Sequence, residues 1–279
     1  MKWATTILVT AVAGLLALGL VMLYSASMAQ TDAAYLTMQL RWGGIGLVAC
    51  MATAVLDYRW LQRLALPVTV VTLLLLFLVL IPGVGVWKHG ARRWFDLGPM
   101  YFQPSEMAKI GLIIGLAAYG TRFCNKMHTL KYGLIIPGGI LSLGLGMIFM
   151  EPDFGTTLLI ATVGGIVLLV AGANWKYVIP PAAFGLGLFA LAVFNDPVRM
   201  KRITAFLHPE QHQSDTGYQA YQSMLALGNG GTTGLGLGNG RQKLGFVPEH
   251  HTDFIFSIIG EELGVVATLG VVVVFMILV

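Results

Sequence analysis

Eight long hydrophobic runs, separated by polar segments, dominate the pattern of this chain. They lie near residues 7–26, 39–56, 64–82, 104–120, 132–150, 155–173, 178–194 and 254–279. Each run has roughly the 17–25 residues that a helix needs to cross the hydrocarbon core of a bilayer. Transmembrane strands are a poor alternative, because the runs are continuous and do not alternate between apolar and polar residues. The pattern therefore predicts an all-α fold, a polytopic transmembrane bundle of about eight helices.

The composition strengthens this membrane assignment. Of the 279 residues, 56% are hydrophobic and 11% are charged, whereas a soluble domain usually carries about 25% charged residues. We therefore expect a single membrane domain over residues 1–279, with no nucleic-acid partner. Because the last run ends at Val279 with neither a basic stop nor a polar tail, we expect the chain to be incomplete at its C-terminus.

Basic residues in the loops predict the orientation of the bundle. One side carries Lys2, Arg59, Arg63, Arg122, Lys126, Lys131 and Lys176. By the positive-inside rule that side is cytoplasmic. The opposite, extracytoplasmic side also carries cations, namely Lys88, Arg92, Arg93, Arg199, Lys201, Arg202, Arg241 and Lys243. An anionic ligand such as a phosphate would explain why these cations are kept; the alternative is a solvated basic loop that translocates because it is long.

The segment 195–252 is predicted to form a large extracytoplasmic loop, too long to be a mere connector. It contains glycine-rich stretches at 228–231 and 234–240. A Rossmann or Walker site is not indicated, because no strand is predicted before these stretches and no Gly-Lys-Ser/Thr follows them. Two interpretations stay open: the backbone amides approach a substrate, or the stretch is a flexible, re-entrant surface loop.

Two charged motifs at the predicted helix ends have structural explanations. Glu106 and Lys109 lie three residues apart, so they share one helical face and are expected to form a structural ion pair. Asp153 lies in a break between two hydrophobic runs. It could cap the helix that follows, which we favour, or it could point into a cavity shared with Asp253.

The strongest functional candidate is Asp253, in the segment 248–256 that joins a polar loop to the last hydrophobic run. An acid at membrane depth costs about 2.5–3.5 kcal/mol, so such residues are functional candidates by default. Glu261 and Glu262 lie deeper in the same run, and for them pairing with basic neighbours is the favoured interpretation. The helix is also expected to turn one small and polar stripe towards other helices or a watery cavity, formed by Asp253, Ser257, Gly260 and Gly264.

These motifs together resemble the SEDS family (shape, elongation, division and sporulation; FtsW/RodA-like proteins). The matching segments are 90–98, 103–106, 152–156, 221–223, 248–256 and 260–264, and they occur in the family's order and spacing. The segments 238–244 and 259–262 look more like the division branch, FtsW, than the elongation branch. Members of the family have ten membrane helices, so the resemblance implies that the last two are absent here.

The resemblance implies a peptidoglycan polymerase. Such proteins take lipid II, an undecaprenyl-pyrophosphate-linked disaccharide pentapeptide, and transfer its glycan onto a growing strand. They are multi-pass proteins of the bacterial cytoplasmic membrane with the active site on the extracytoplasmic face, and the division branch acts at the septum. The expected partners are a class B penicillin-binding protein, which cross-links the product, and other divisome membrane proteins.

The resemblance, combined with the charges, assigns roles to individual residues. Asp253 would be the catalytic base, taking the proton from the acceptor hydroxyl as that oxygen attacks the donor anomeric carbon with inversion. Arg93, helped by Lys88 or Arg241, would stabilise the departing pyrophosphate. A divalent cation, Mg²⁺ or Mn²⁺, could share that role, although no metal-ligand cluster is visible in the sequence.

Three further side chains are expected to contact the substrate: Trp94, Glu249 and Asp153. For Trp94, packing against sugar or lipid competes with the commoner use of tryptophan in an interfacial belt. Two other functions remain as alternatives. A lipid II transporter would suit a polytopic bundle, but no inverted repeat is obvious; a non-catalytic scaffold that recruits a transpeptidase would not need Asp253.

Overall fold

We describe the chain from a computed structural model, which covers residues 2–27, 34–88, 90–98, 101–211, 217–244 and 252–279. Within these ranges the helices are α1 Lys2–Ser27, α2 Ala34–Val55, α3 Arg59–Leu80, α4 Pro104–Arg122, α5 Ile136–Met150, α6 Phe154–Val170, α7 Trp175–Phe194, α8 Pro197–Leu207, α9 Tyr218–Gly230 and α10 Ile255–Leu278. Short helical turns add Cys124–Lys126, Lys131–Ile135, Pro209–Gln211 and Gln242–Leu244. All eight predicted helices are confirmed, as α1 to α7 and α10.

Five helical segments in the described residues are long and apolar enough to cross a membrane: Trp3–Ser27, Arg59–Leu80, Lys131–Met150, Trp175–Phe194 and Ile255–Leu278. Phe154–Val170 is apolar but shorter. The molecule is therefore an integral membrane protein. The predicted spans α2 and α4 are not among these five helices. α2 contains Arg41, and α4 carries Glu106, Lys109 and Arg122.

The chain divides into two compact units. One comprises Met1–Thr53 together with Ala192–Val279, and the other comprises Ala54–Leu191. We call them the terminal unit and the central unit. The expectation of a single membrane domain stays a prediction.

In the central unit, small residues let α4 approach α3. A methyl group added at Gly111 or Gly115 would collide with the hydroxyl of Thr72 or Thr69, so both glycines are required by close packing. Thr69 Oγ1 also donates to the Gly111 carbonyl at 3.2 Å. Around this contact lies an apolar core, which includes Leu76, Leu112, Leu116, Leu141, Ile148 and Ile160.

A small antiparallel sheet interrupts the helices between α3 and α4, which the all-α prediction did not include. Its strands are β1 Val86–Lys88, β2 Ala91–Asp96 and β3 Tyr101–Phe102, in the order β1-β2-β3. Trp87 pairs with Arg92 and Phe95 pairs with Phe102. The sheet holds Arg93 and Trp94 on its central strand.

The segment 195–252, predicted as a large loop, is largely helical where the structure describes it. Asp196 begins α8 by accepting hydrogen bonds from the N–H groups of Val198 and Arg199, and Pro197 suits the first turn. α9 then packs along α10. The extracytoplasmic position of this segment stays a prediction.

The glycine-rich stretch fills a break in α10. At Gly264 the backbone takes φ 78° and ψ −179°, a conformation that favours glycine. The N–H groups of Val265 and Val266, which would close the next helical turn, donate instead to the carbonyls of Gly231 and Thr232 at 3.0 and 3.4 Å. Before the break, the backbone carbonyls of Glu261 and Glu262 accept hydrogen bonds from the glycine-rich stretch. Their donors are the N–H groups of Leu235 and Gly236, each at 2.9 Å.

Candidate functional site

Two buried glutamates anchor the glycine-rich stretch in the terminal unit. Glu261 is fully buried, and its carboxylate accepts from the backbone N–H of Arg241 at 3.0 Å and of Gln242 at 3.2 Å. Glu262 is also fully buried. It accepts from Lys243 Nζ at 2.7 Å and, in addition, from Ser25 Oγ at 2.6 Å and the Gly238 N–H at 3.0 Å. We call this group the α10 anchor.

The α10 anchor tests several expectations from the sequence. Glu262 pairs with a basic neighbour, as favoured from the sequence, whereas Glu261 is bound by backbone N–H groups and, among the described residues, by no basic side chain. The neighbour of Glu262 is Lys243, whose side chain is only 5% exposed, so it is not one of the free external cations. Backbone amides expected to approach a substrate, those of Leu235, Gly236 and Gly238, are bound by the protein itself. The stretch is therefore fixed by its own chain instead of forming a flexible surface loop.

Asp253 lies in the turn immediately before α10, and its side chain is exposed. The predicted stripe is confirmed only in part: Ser257, Gly260 and Gly264 are buried, but Ile258, Ile259, Glu261 and Glu262 are buried as well, and Asp253 is not. The exposed carboxylate thus lies at the N-terminal end of a buried segment, in the turn before a helix that the α10 anchor holds in place. Among the described residues no cation forms an ion pair with it.

Two other predicted site residues, Arg241 and Glu249, belong to the terminal unit. The Arg241 side chain is exposed, while its backbone N–H is held by Glu261. Exposure leaves its guanidinium accessible to an anion. Glu249 lies outside the described residues, and its role stays a prediction.

In the central unit, hydrogen bonds from Arg93 connect β2 to the turn between α5 and α6. Its Nε donates to the carbonyl of Glu151 at 2.6 Å and its Nη2 donates to the carbonyl of Pro152 at 2.8 Å. A guanidinium has five N–H donors, so these two bonds leave others for a ligand. Arg93 therefore combines a structural contact with remaining capacity to bind an anion.

Asp153 caps α6, as favoured from the sequence. Its carboxylate accepts from the N–H of Thr156 at 3.1 Å and from the Thr156 hydroxyl at 2.9 Å. Gln103 Nε2 also donates to it at 3.4 Å and to Ser105 Oγ at 2.8 Å. These bonds tie the start of α4 to the start of α6, beside the turn held by Arg93.

Glu151, in the same turn, was not singled out from the sequence. Its side chain is fully buried, and neither carboxyl oxygen has a hydrogen-bond partner. Burial, together with the nearby Asp153 carboxylate, raises the pKa of Glu151 to about 8, against the lowering influence of Arg93. The only sequence signal for it is a second acid two residues before the cap Asp153. We call Arg93, Glu151, Asp153 and Gln103 the α5–α6 turn cluster.

Other predicted residues of the central unit lie on or near the sheet. Lys88 is exposed, with its ammonium 4.2 Å from the centre of the Tyr101 ring. Trp94 is half-buried on β2. Their roles in substrate binding stay predictions.

Glu106 and Lys109 form a salt bridge of 2.7 Å on α4. Their side chains are 60% and 32% exposed, so the protein does not bury the pair. Its structural role stays a prediction.

An apolar cavity of about 1020 Å³ lies between α5, α6 and α7 in the central unit. Its walls are almost wholly hydrocarbon, with Leu145, Ile166 and Leu186 as representative side chains from the three helices. In a membrane protein such a cavity suits the chain of a lipid.

Comparison with known proteins places this chain among cell-wall enzymes. A family model described as "Cell cycle protein", covering FtsW, RodA and SpoVE, matches residues 6–279. A relative from Trichlorobacter lovleyi named "Probable peptidoglycan glycosyltransferase FtsW" is 39% identical, covering 98% of this chain and 73% of the relative. A relative of the same name from Legionella pneumophila is 36% identical, covering 100% and 71%.

Two solved structures resemble the fold. The rod shape determining protein RodA of Thermus thermophilus is 30% identical with a TM-score of 0.66, covering 97% of this chain and 71% of that one. A chain from a peptidoglycan synthase complex, described for its coordination of polymerization and crosslinking, is 31% identical with a TM-score of 0.70, covering 97% and 74%.

Proposed function

This chain belongs to the FtsW, RodA and SpoVE family of cell cycle proteins, and from that premise we propose that it polymerises peptidoglycan during cell division. Its relatives named as FtsW are peptidoglycan glycosyltransferases by name, which supports the same enzyme class here. The substrate would be lipid II, whose glycan is transferred to a growing strand.

The observation that carries the proposed mechanism is the exposed carboxylate of Asp253 at the head of a fixed helix. An ionised carboxylate can take the proton from the acceptor hydroxyl while that oxygen bonds to the donor anomeric carbon. The bond from this carbon to the pyrophosphate breaks in the same step, and the configuration inverts because one displacement occurs. The α10 anchor would keep the base in place.

The departing pyrophosphate requires positive charge. Arg93 has unused N–H donors beyond its two bonds to the α5–α6 turn, and the exposed Lys88 and Arg241 would assist it. The apolar cavity of the central unit fits the hydrocarbon tail of a polyprenyl-linked substrate. Trp94, Glu249 and Asp153 complete the proposed substrate-binding set, Asp153 by holding the turn on which Arg93 rests.

A divalent cation, Mg²⁺ or Mn²⁺, is part of the proposal as a further stabiliser of charge on the phosphates. The described residues contain no group of three or more His, Cys, Asp or Glu side chains suited to a metal ion. When bound, such a cation would supply positive charge to the phosphates.

We further propose that the active site faces the extracytoplasmic side and that the protein works at the division septum. The basic loops predicted to be cytoplasmic support that orientation. A class B penicillin-binding protein is the proposed partner, together with other divisome membrane proteins. The similarity to a chain from a complex that coordinates polymerization and crosslinking supports such a pairing.

The test is polymerisation of labelled lipid II by purified protein in detergent, with its transpeptidase partner present. The wild type should make glycan strands, and Asp253→Asn should reduce the rate by roughly 10²–10⁴-fold while inserting normally. Full activity of Asp253→Asn would remove the base assignment. If detergent samples never polymerise, while liposomes with this protein alone move lipid II between leaflets, the transporter alternative replaces the enzyme.

A further inference from the structure

Glu151 is a buried acid without the partners that buried acids normally have. Its side chain has no exposed surface, and both carboxyl oxygens lack a hydrogen bond. A buried carboxylate in this state is costly, and the usual outcome is that the group binds a proton. The backbone of the same residue is nevertheless used, because its carbonyl accepts from Arg93 Nε.

The charges around Glu151 balance only if it is neutral. Arg93 carries one positive charge and Asp153 one negative charge, so an ionised Glu151 would leave the α5–α6 turn cluster with a net negative charge. This balance agrees with the raised pKa of Glu151, which burial causes first and the Asp153 carboxylate second, while Arg93 opposes them.

Among the described residues, the charged groups that act on the Glu151 carboxyl are Asp153 and Arg93, and the charges on the surrounding elements have contacts of their own. On α4, Glu106 and Lys109 neutralise each other. On the sheet, the Arg92 guanidinium lies over the Trp87 ring, and Asp96 accepts from the Gly98 N–H. The basic residues of α3 lie at its start, at the opposite end from the strand that it leads into.

We propose that Glu151 is a positioning residue for Arg93, whose guanidinium keeps its outer N–H groups available to the substrate pyrophosphate only while the Glu151 carboxyl is protonated. In the neutral state the guanidinium rests on the two carbonyls of the turn. Loss of the proton to solvent creates a buried carboxylate whose charge interacts with Arg93, and opposite charges in a poorly solvated place attract strongly. The carboxylate then competes with the pyrophosphate for the same guanidinium.

This inference rests on the proposed function, because it assigns Arg93 to the pyrophosphate. It predicts a dependence on pH that acts on substrate binding and not on the chemical step. With half-ionisation near pH 8, the binding-competent fraction falls roughly tenfold between pH 7 and pH 9, and the apparent affinity falls by the same factor. The KM for lipid II should therefore rise, while kcat stays unchanged.

The experiment compares wild type, Glu151→Gln and Glu210→Gln across pH 7 to 9. Glutamine keeps the shape of the neutral acid and cannot ionise, and Glu210 is an exposed glutamate that serves as the matched control. We expect KM to rise roughly tenfold in wild type and Glu210→Gln, and to stay at its low value in Glu151→Gln. An unchanged alkaline rise in Glu151→Gln, or a large loss of activity at pH 7 in that variant at normal membrane levels, would overturn the proposal.

Binding of inorganic pyrophosphate, measured by calorimetry on the same three proteins, separates this inference from the proposed function. The affinity of wild type should fall with pH more steeply than that of Glu151→Gln, whether or not polymer forms. Equal pH dependence of pyrophosphate affinity in the two proteins would contradict the proposed role of Glu151. Absence of polymer in every protein, together with the expected difference in pyrophosphate binding, removes the polymerase assignment alone.

Discussion

The α10 anchor and the α5–α6 turn cluster both bury glutamates completely, yet they treat them in opposite ways. Glu261 and Glu262 receive hydrogen bonds from backbone amides, a hydroxyl and an ammonium. Glu151 receives none at its carboxyl oxygens. A buried acid that is fully bonded can stay ionised and fix its surroundings, whereas one without donors takes up a proton. Burial alone therefore does not reveal the role of an acid.

The largest expected effect in this comparison comes from removing a donor from the α10 anchor. Lys243→Met leaves Glu262 buried without its cation and should lower the free energy of unfolding by about 3–5 kcal/mol. Scarce protein in the membrane and a lower denaturation temperature would be the readouts. The exposed Lys201 offers a control, since Lys201→Met should have little effect.

The double variant Lys243→Met, Glu262→Met distinguishes loss of a partner from loss of packing. It should recover most of the stability, because no unpaired charge remains in the buried site. Equal damage in the single and double variants would mean that the ion pair is not what holds the glycine-rich stretch.

The opposite effect is expected in the α5–α6 turn cluster, where Glu151→Gln should stabilise the protein. The pKa of Glu151 rises from 4.5 to about 8 on folding, so the folded state binds the proton more tightly, and the stability of wild type falls as pH rises from about 4.5 to about 8. Glutamine removes this loss. The free energy of unfolding of the variant should equal that of wild type near pH 4 and exceed it by about 3 kcal/mol at pH 7.

Thermal denaturation in detergent at several pH values, with Glu210→Gln as the control, measures this difference. A constant offset between Glu151→Gln and wild type at all pH values would contradict the protonated state of Glu151.

The sequence predicted the parts of this molecule that depend on continuous local patterns. Hydrophobic runs located all eight long helices, and the position of Asp153 before a run located its cap. The α10 anchor was only partly predictable, since Ser25 and Glu262 lie 237 residues apart and no local pattern joins them. Glu151 was not predicted from the sequence, because its distinguishing property is a buried carboxyl group without hydrogen-bond partners. Only the three-dimensional packing reveals that property.

The break in α10 is a further way to sharpen the comparison, because it lets the glycine-rich stretch reach the glutamates. Gly264→Ala places a methyl group against the Thr232 carbonyl and the Gly234 N–H at a positive φ. A backbone with φ 78° and ψ −179° is adopted almost only by glycine and costs another residue about 1–3 kcal/mol, and the collision adds to it. Gly270→Ala, on the same helix with open space around it, should be neutral or slightly stabilising. Equal denaturation temperatures for the two variants would show that the break does not need glycine.

The smallest effect is expected at Glu106 and Lys109, an ion pair that is not buried like those of the α10 anchor. Since the two side chains remain 60% and 32% exposed, each alanine variant should cost at most about 1 kcal/mol, and the double variant should cost little more. Membrane levels and denaturation temperatures of the three variants provide the test. A different result would be a severe fall of membrane levels in either single variant with recovery in the double variant. That result would show that this pair is as sensitive to a missing partner as the pair of Lys243 and Glu262. Normal levels with lost polymerisation would place the pair in the substrate site.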